Sequence, residues 1–323
     1  MKLFEPNDYL LVRRSLYASD FRERAPRATF GGVCSGDILT IKENPEKIAD
    51  GFLIGVLNSP SLWKFIVANA SGSITRRIKW KDLANYEFLL PPKDQQAELA
   101  ELLWAMDEVI EKSIELKSKT EKFYYTKLDS ILINKKASWE EGKLDNLASV
   151  NKDSLNSKTD PSHEFFYLDI ASIEKPKVIG NMDKMSFEEA PSRARRIVEN
   201  NSIVLSLVRP YLKSFAYVED GTNIIASTGT GVINNAKLDI RFLFHQFFSK
   251  RFENYCENRM TGTNYPAINQ TDLKDFPVLY PKRVSDQKEV SIKLDLIEKQ
   301  IECTDVSIKS SKSLQKSLIN QIF

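Results

Sequence analysis

Two long stretches of the chain carry apolar residues at alternating spacings of four and three, which is the heptad pattern of coiled-coil helices. The first stretch begins at about Asp94, which fits a helix N-cap, and continues to about Asn134 without proline or glycine. The second begins at about Asp286 and continues to the last residue. Each would form a helix of about 40 residues, hence roughly 60 Å long. Helices of this length indicate a coiled coil.

The apolar positions define one seam along each predicted helix. The candidate seam residues are Leu99, Leu103, Met106, Ile110, Leu294, Ile297, Ile301 and Ile308. We expect the two helices to pack antiparallel, because a short tether from a globular unit to each helix favours a closed, pseudo-twofold arrangement.

The segment before each long helix is repeated. Residues 52–94 align with residues 242–284 at a fixed offset of 190, and one inserted residue follows. Matched positions include Gly72 with Gly262, Ile78 with Ile268, Pro91 with Pro281 and Gln96 with Gln287. Further upstream, residues 4–10 align with residues 198–204 at an offset of 194. Because residues 139–197 of the second copy then have no counterpart, we expect the first copy to be truncated at its N-terminus.

Local patterns within the copies predict short strands and helices. Tyr9–Val12 and Asp37–Ile41 are strand candidates, a helix is expected over about 50–69, and Phe88–Leu90 reads as a last strand before a proline pair. In the second copy, Phe165–Ile170 reads as a buried strand. The predicted class is α+β, with two globular domains joined by two long antiparallel coiled-coil helices. The predicted boundaries are 1–93, 94–135, 136–285 and 286–323.

Composition narrows the possible functions. The 323-residue chain has a net charge of +2 and 42% hydrophobic residues, which is ordinary for a protein with sizeable cores. Three scattered cysteines and only two histidines, His163 and His245, argue against disulfides and metal sites, so we expect no metal and no cofactor. The sequence has neither an apolar run long enough for a membrane span nor a signal-peptide core. We therefore expect a cytoplasmic protein without membrane association.

Motifs for catalysis are missing from the sequence. No phosphate-binding loop and no dinucleotide fingerprint is present. A paired-carboxylate active site stays open as an alternative, because Asp and Glu are plentiful, although most of them would be solvated helix faces. We therefore predict that the chain is not an enzyme.

Basic and aromatic residues cluster near the two glycine turns and in residues 13–27, where Tyr17, Phe21, Arg22 and Arg24 belong to the cluster. Arginine and lysine supply phosphate contacts, while arginine, asparagine and glutamine read base edges. The alternative reading of the two glycines is purely conformational, as helix C-caps. The candidate DNA contacts are Arg13, Arg14, Arg76, Arg77, Lys79, Arg193, Arg195, Arg196, Arg209, Tyr211, Lys213, Thr263, Asn264 and Tyr265.

These features resemble the specificity subunit of type I restriction–modification systems. The resemblance covers nearly the whole chain from about residue 4. It is carried by the turns Ser71-Gly72-Ser73 and Thr261-Gly262-Thr263, the steps Lys81-Asp82-Leu83 and Thr271-Asp272-Leu273, and the phrases Leu89-Leu90-Pro91-Pro92-Lys93-Asp94-Gln95-Gln96 and Asp286-Gln287 before the long helices.

The resemblance implies that each globular unit is a target recognition domain that reads one half of a split sequence in double-stranded DNA. It also implies that the long helices form a spacer that docks two methyltransferase (modification) subunits, and that a motor-nuclease (restriction) subunit joins the complex. Such a subunit carries no catalytic residues of its own. If the truncated first copy no longer reads DNA, the alternative function is a protein-interaction or competitor module derived from such a subunit.

Overall fold

The computed structural model describes residues 1–14, 16, 25–73, 75–134, 138–174, 177–178 and 182–323. The chain divides into two compact units, which we call unit 1 (residues 1–118 and 302–323) and unit 2 (residues 119–301). Each unit therefore contains a segment of both long helices. Among the described residues, no helix is long and apolar enough to cross a lipid bilayer.

The α-helices are α1 (Leu53–Leu57), α2 (Pro60–Asn69), α3 (Trp80–Leu83), α4 (Lys93–Ile133), α5 (Leu144–Leu147), α6 (Ile240–Gln246), α7 (Lys250–Glu257), α8 (Gln270–Lys274) and α9 (Val284–Ile322). Short 3₁₀ turns lie at Ile170–Ser172 and Pro210–Leu212.

The strands are β1 (Lys2–Phe4), β2 (Tyr9–Val12), β3 (Gly32–Cys34), β4 (Ile38–Ile41), β5 (Trp139–Lys143), β6 (Ser149–Val150), β7 (Glu164–Leu168), β8 (Ile173–Glu174), β9 (Lys177–Val178), β10 (Asp183–Ser186), β11 (Ala194–Val198), β12 (Ser202–Ser206), β13 (Phe215–Val218), β14 (Ile224–Ser227), β15 (Thr230–Asn234) and β16 (Pro277–Pro281).

Unit 2 contains two four-stranded sheets, in the orders β10-β7-β14-β11 and β13-β12-β15-β6. Successive residues of a strand face opposite sides of its sheet, so β12 serves two cores. Val204 packs into the cluster that also contains Leu168 and Ala226 of the other sheet. Ile203 and Leu205 pack with the helices instead. The core of unit 2 therefore lies partly between the two sheets and partly between the sheet that contains β12 and the helices.

Unit 1 is a smaller version of the same plan. β1 pairs with β3 and β2 pairs with β4, all antiparallel. Leu11 and Leu39 pack with the apolar side of α2, whereas Leu10 contacts the cluster around Phe4. Within the described residues β3 has one partner strand, while its counterpart β14 pairs with both β11 and β7.

The two long helices pack antiparallel in each unit. In unit 1, Gln315 of α9 donates to Asp107 of α4 at 2.6 Å, and Lys117 of α4 pairs with Asp305 of α9. In unit 2, the first part of α9, including Leu294, packs with the last part of α4. The predicted seam residues Leu103, Ile110, Leu294 and Ile308 are buried, and Leu99, Met106, Ile297 and Ile301 are half-buried.

A buried glutamine connects each long helix to the domain before it, in the same way in both units. Gln96 accepts from the main-chain N–H of Ala49 at 2.8 Å and donates to the carbonyl of Pro91 at 2.8 Å. Gln287 accepts from the N–H of Asp239 at 2.8 Å and donates to the carbonyl of Pro281 at 2.7 Å. Both side chains are 1% exposed. The sequence repeat is therefore also a repeat of hydrogen bonds.

Two local predictions for the first copy were wrong. The helix expected over about 50–69 is two helices, because Ser59 caps α2 through the N–H of Leu62 and Pro60 occupies its first turn. The expected strand at Phe88–Leu90 is irregular. Its counterpart β16 exists by pairing with β5, and unit 1 offers no equivalent of β5 among its described residues.

Candidate nucleic-acid interface

Each unit carries a loop closed by two main-chain hydrogen bonds, which we call the glycine loop (residues 71–77 and 261–267). In unit 1, Ser71 and Arg77 exchange N–H···O bonds of 2.9 Å. In unit 2, Thr261 and Ala267 exchange the same pair at 3.0 Å. The loops have equal length and equal closure, so they are equivalent parts of the two units.

The glycine of each loop has a conformational role, as the alternative interpretation of the sequence expected, but it is not a helix C-cap. The C-caps of α2 and α7 are Ala70 and Asn258. Gly72 has φ +120° and Gly262 has φ +94°, a region that other residues rarely adopt. A Cβ on Gly72 would lie 2.6 Å from the carbonyl oxygen of Thr75. The loop conformation therefore requires glycine.

Both glycine loops lie beside the end of a strand. Ile268 donates to the carbonyl of Leu207, just after β12, at 3.1 Å, and Ile78 donates to the carbonyl of Arg13, just after β2, at 3.1 Å. In unit 2 the next residue, Val208, forms a bridge with Ala267. Loops from separate parts of the sequence are thus brought to one end of each unit.

Arg209 braces the glycine loop of unit 2. Its backbone is left-handed, with φ +49°, and its N–H donates to the carbonyl of Pro266 at 2.7 Å. The guanidinium donates to the carbonyl of Asn264 at 2.9 Å and lies 4.6 Å from the ring centroid of Tyr265. Thr263 and Asn264 are exposed, and Tyr265 is 70% exposed. The loop side chains project from a fixed frame.

Three further arginines lie on β11 or just before it, near the same end of unit 2. The carbonyl of Arg193 accepts from Thr228 at 2.8 Å, and the Arg193 side chain is exposed. Arg195 lies 4.6 Å from the ring centroid of Phe187. Arg196 donates to Ser154 Oγ at 3.2 Å, and burial lowers the pKa of its guanidinium.

Tyr211 and Lys213 follow Arg209 but differ in accessibility. Tyr211 is 44% exposed. The Lys213 side chain is 16% exposed, pairs with Glu253 at 3.3 Å and lies 4.5 Å from the ring centroid of Tyr125. Unlike the four arginines, Lys213 thus has a carboxylate partner among the described residues of the unit.

In unit 1, one carboxylate holds two of the predicted DNA contacts. Asp37 pairs with Arg14 at 3.0 Å and with Arg77 at 3.2 Å. Arg76 donates to the carbonyl of Ala70 at 3.1 Å, and Lys79 is exposed. The positive charge of this surface is therefore partly compensated within the unit.

The remaining unit 1 candidates differ in how they are placed. The Arg13 side chain is half-buried, and its Nε is buried without a hydrogen-bond partner among the described residues. Tyr17, Phe21, Arg22 and Arg24 lie outside the described residues.

The long helices expose apolar side chains outside the seam. Leu102, Val109 and Leu116 recur every seven residues of α4 in unit 1 and are 45%, 54% and 50% exposed. In unit 2, Ile292 and Leu296 of α9 are 58% and 63% exposed. A regular exposed apolar row on a helix is typical of a surface that binds another helix.

The described residues contain one group with metal-ligating side chains, formed by His245, Asp295 and Glu298 of unit 2. Arg241 pairs with both carboxylates, and Tyr124 Oη lies 2.7 Å from Nδ1 of the histidine. The atoms that could bind a metal are thus bonded to protein partners, and the group joins α6 to the long helices.

Sequence reasoning missed three polar residues of this interface, namely Asp37, Ser154 and Gln270. Gln270 accepts from Arg196 at 3.2 Å, and the two lie 74 residues apart. A single sequence shows no periodicity that would link such positions. Asp37 had a usable signal, because it directly precedes β4 and thus lies at the strand ends near the glycine loop.

Both the sequence and the fold are similar to those of known proteins. A relative from Escherichia coli, the type I restriction enzyme EcoDI specificity subunit, is 28% identical over 127 residues, which is 35% of this chain and 26% of that protein. The chain thus spans about a quarter of that relative. The MjaVIII specificity subunit of Methanocaldococcus jannaschii is 21% identical over 90% of this chain and 73% of its own length.

Two solved structures share the fold. The type I restriction-modification S subunit from M. genitalium superposes with a TM-score of 0.60 at 17% identity, over 99% of this chain and 83% of that one. A chain from a structure of complex assembly and conformational transition in the type I R-M system superposes with a TM-score of 0.59 at 17% identity. The match covers 99% of this chain and 82% of that one. The predicted α+β class with two long antiparallel helices is confirmed.

A family model described as the type I restriction modification DNA specificity domain matches residues 136–310. The match includes the glycine loop of unit 2 and much of α9. Because it spans more than half of the 323 residues, the chain belongs to the type I restriction modification DNA specificity family.

Proposed function

We propose that the chain is the DNA-recognition subunit of a type I restriction–modification complex, reading a split target in double-stranded DNA. The observation that carries the proposal is the glycine loop, repeated in both units with the same closure and beside basic side chains. In this proposal the recognition domains are residues 1–93 and 136–285, and the spacer helices are 94–135 and 286–323. The chain performs no catalysis, and partner subunits carry out methyl transfer and cleavage.

The charge distribution of unit 2 supports DNA contact at the loop end. Arg193, Arg195, Arg196 and Arg209 have no carboxylate partner within the described residues. By contrast, Arg241, on the helix side of the unit, pairs with two carboxylates. Uncompensated arginines on one surface are the electrostatic footprint of a nucleic-acid site. We assign phosphate contacts to Arg193, Arg195 and Arg209 and base contacts to Asn264 and Tyr265.

Unit 1 is expected to contribute less to recognition. Its Arg14 and Arg77 are held by Asp37, so a DNA phosphate would have to displace an existing ion pair. Residues 139–282 should therefore dominate sequence preference. Footprints with strong, equal protection of both half-sites by this chain and a methyltransferase subunit would contradict this expectation.

The exposed apolar rows on α4 and α9 support the docking of methyltransferase subunits. Leu102, Val109 and Leu116 give a row with a repeat of seven residues, which a partner helix can match. A motor-nuclease subunit would join through this assembly. Replacing Val109 with Asp should weaken binding of the methyltransferase subunit, which analytical ultracentrifugation measures.

The DNA proposal is tested by salt-dependent binding of the full chain with a type I methyltransferase subunit. Each lost phosphate contact reduces the salt slope by about 1 on every sequence. We expect this result for Arg193→Ala. Lys293→Ala is the matched control, because it removes an exposed lysine of α9 that pairs with Glu289. Equal salt slopes for Arg193→Ala and the wild-type chain would refute the assignment of Arg193 as a phosphate contact.

A further inference from the structure

Arg196 of unit 2 is a half-buried cation surrounded by neutral groups. One terminal nitrogen donates to Ser154 Oγ and the other to Gln270 Oε1, both at 3.2 Å. Its Nε is buried and has no hydrogen-bond partner in the described part of the chain. Burying a guanidinium without a carboxylate costs free energy. Because burying Arg196 in this way lowers stability, its contacts with Ser154 and Gln270 indicate a functional role.

The backbone around Arg196 is built to aim this side chain. The pairing of β11 with β14 shifts register between Ala194 and Arg196, which is a β-bulge. Bulges turn side chains away from the regular alternation of a strand and are frequent beside functional sites. Here Arg195 packs on Phe187 while Arg196 reaches the first residue of α8.

The contact from Arg196 fixes the orientation of the Gln270 side-chain amide. Because Oε1 accepts from the guanidinium, the amide nitrogen must lie on the other side. Gln270 is half-exposed at the start of α8, next to the glycine loop, and its Nε2 has no hydrogen-bond partner among the described residues. A charged donor on the oxygen also polarises the amide and strengthens its N–H groups as donors.

We propose that Gln270 reads a guanine in the DNA target and that Arg196 is the residue that positions it; this rests on the proposed function. A glutamine with both ends free reads adenine, accepting from N6 and donating to N7. With its oxygen directed at the Arg196 guanidinium, Gln270 presents its amide N–H groups to the base. Guanine presents two acceptors, O6 and N7, in the major groove, whereas adenine would leave its N6 donor facing another donor.

The positioning role depends on the shape of the guanidinium. Its fork reaches Ser154 and Gln270 together, and the single ammonium of lysine lacks this fixed geometry. Arg196→Lys keeps the positive charge but releases the amide. It therefore separates positioning from electrostatic attraction.

The experiment selects bound duplexes from a randomised library with the full chain and a type I methyltransferase subunit, and sequences them. Gln270→Ala should lower the enrichment of guanine at one position by about tenfold, the lower part of the range for a base contact, with an unchanged salt slope. Arg196→Lys should change preference at that same position only. Gln95→Ala, at an exposed glutamine of α4 in unit 1, is the control that should match the wild type.

The possible failures are distinguishable. If the wild-type complex selects no sequence, the proposed function is refuted together with this inference. If it selects a sequence and Gln270→Ala selects the same one, only the reading by Gln270 is refuted. A loss at a position that is not guanine, or a uniform loss of affinity on all sequences, also overturns it.

Discussion

Replacing Gln96 with Met should destabilise unit 1 by an amount that follows from its hydrogen bonds. Methionine has a similar volume but cannot serve the N–H of Ala49 and the carbonyl of Pro91, each bonded to Gln96 at 2.8 Å. Each buried group left unsatisfied costs about 1–3 kcal/mol. The side chain is 1% exposed, so water does not replace it easily. For these two groups the expected loss is about 2–6 kcal/mol.

The neighbouring residue supplies the control. Gln95 is exposed, so Gln95→Met makes the same chemical change without removing a buried hydrogen bond. A domain of this size loses roughly 3 °C in Tm per kcal/mol, which predicts a fall of about 6–18 °C for Gln96→Met. Calorimetry of the full chain measures both variants. A shift for Gln96→Met no larger than that for Gln95→Met would refute the reasoning.

Three further predictions concern the helix seam and the charged groups of unit 1. Ile110→Asp should destabilise unit 1 by at least as much as a core Ile→Ala change, which costs about 2–5 kcal/mol. The control Val109→Asp, at a 54% exposed position, should leave the Tm of the isolated chain unchanged. Hydrogen bonding and charge from Lys117 and Lys309 hold the pKa of Asp305 at about 2, so its stabilising effect is complete above about pH 4 and is lost as the pH falls towards 2. Asp305→Asn should therefore lower stability by about 1 kcal/mol or less at pH 7, and the gap to the wild type should close in acid melts; a constant gap would contradict the ion pair. Asp37→Asn should steepen the salt slope of DNA binding by about 1 by freeing phosphate contacts, and an unchanged slope would show that unit 1 does not touch the backbone.

The sequence predicted the parts of the fold that are periodic or repeated. The heptad pattern located both long helices, and the match of Gly72 with Gly262 identified the two equivalent loops. The prediction of a strand at Phe88–Leu90 was wrong, because a strand exists only where a partner strand pairs with it. Local composition carries no information about that partner.

The candidate site was predicted less well than the fold. Charge and type identified Arg193 and Arg209, but they did not show that Lys213 has an internal carboxylate partner. They also gave no sign of Ser154 or Gln270, whose importance comes from contacts with Arg196 across the fold. Such contacts depend on tertiary geometry, and a single sequence does not encode them in any readable pattern.

The glutamine that joins each long helix to its domain uses only main-chain atoms of that domain. Gln96 bonds to the backbone of Ala49 and Pro91, and Gln287 bonds to the backbone of Asp239 and Pro281. The main-chain N–H that donates to the glutamine thus belongs to an alanine in one unit and to an aspartate in the other, with the same hydrogen bond. Because this joint contacts no side chain of the domain, the domain can change most of its surface while its attachment to the helices stays the same. Under the proposed function, its DNA target could change in the same way.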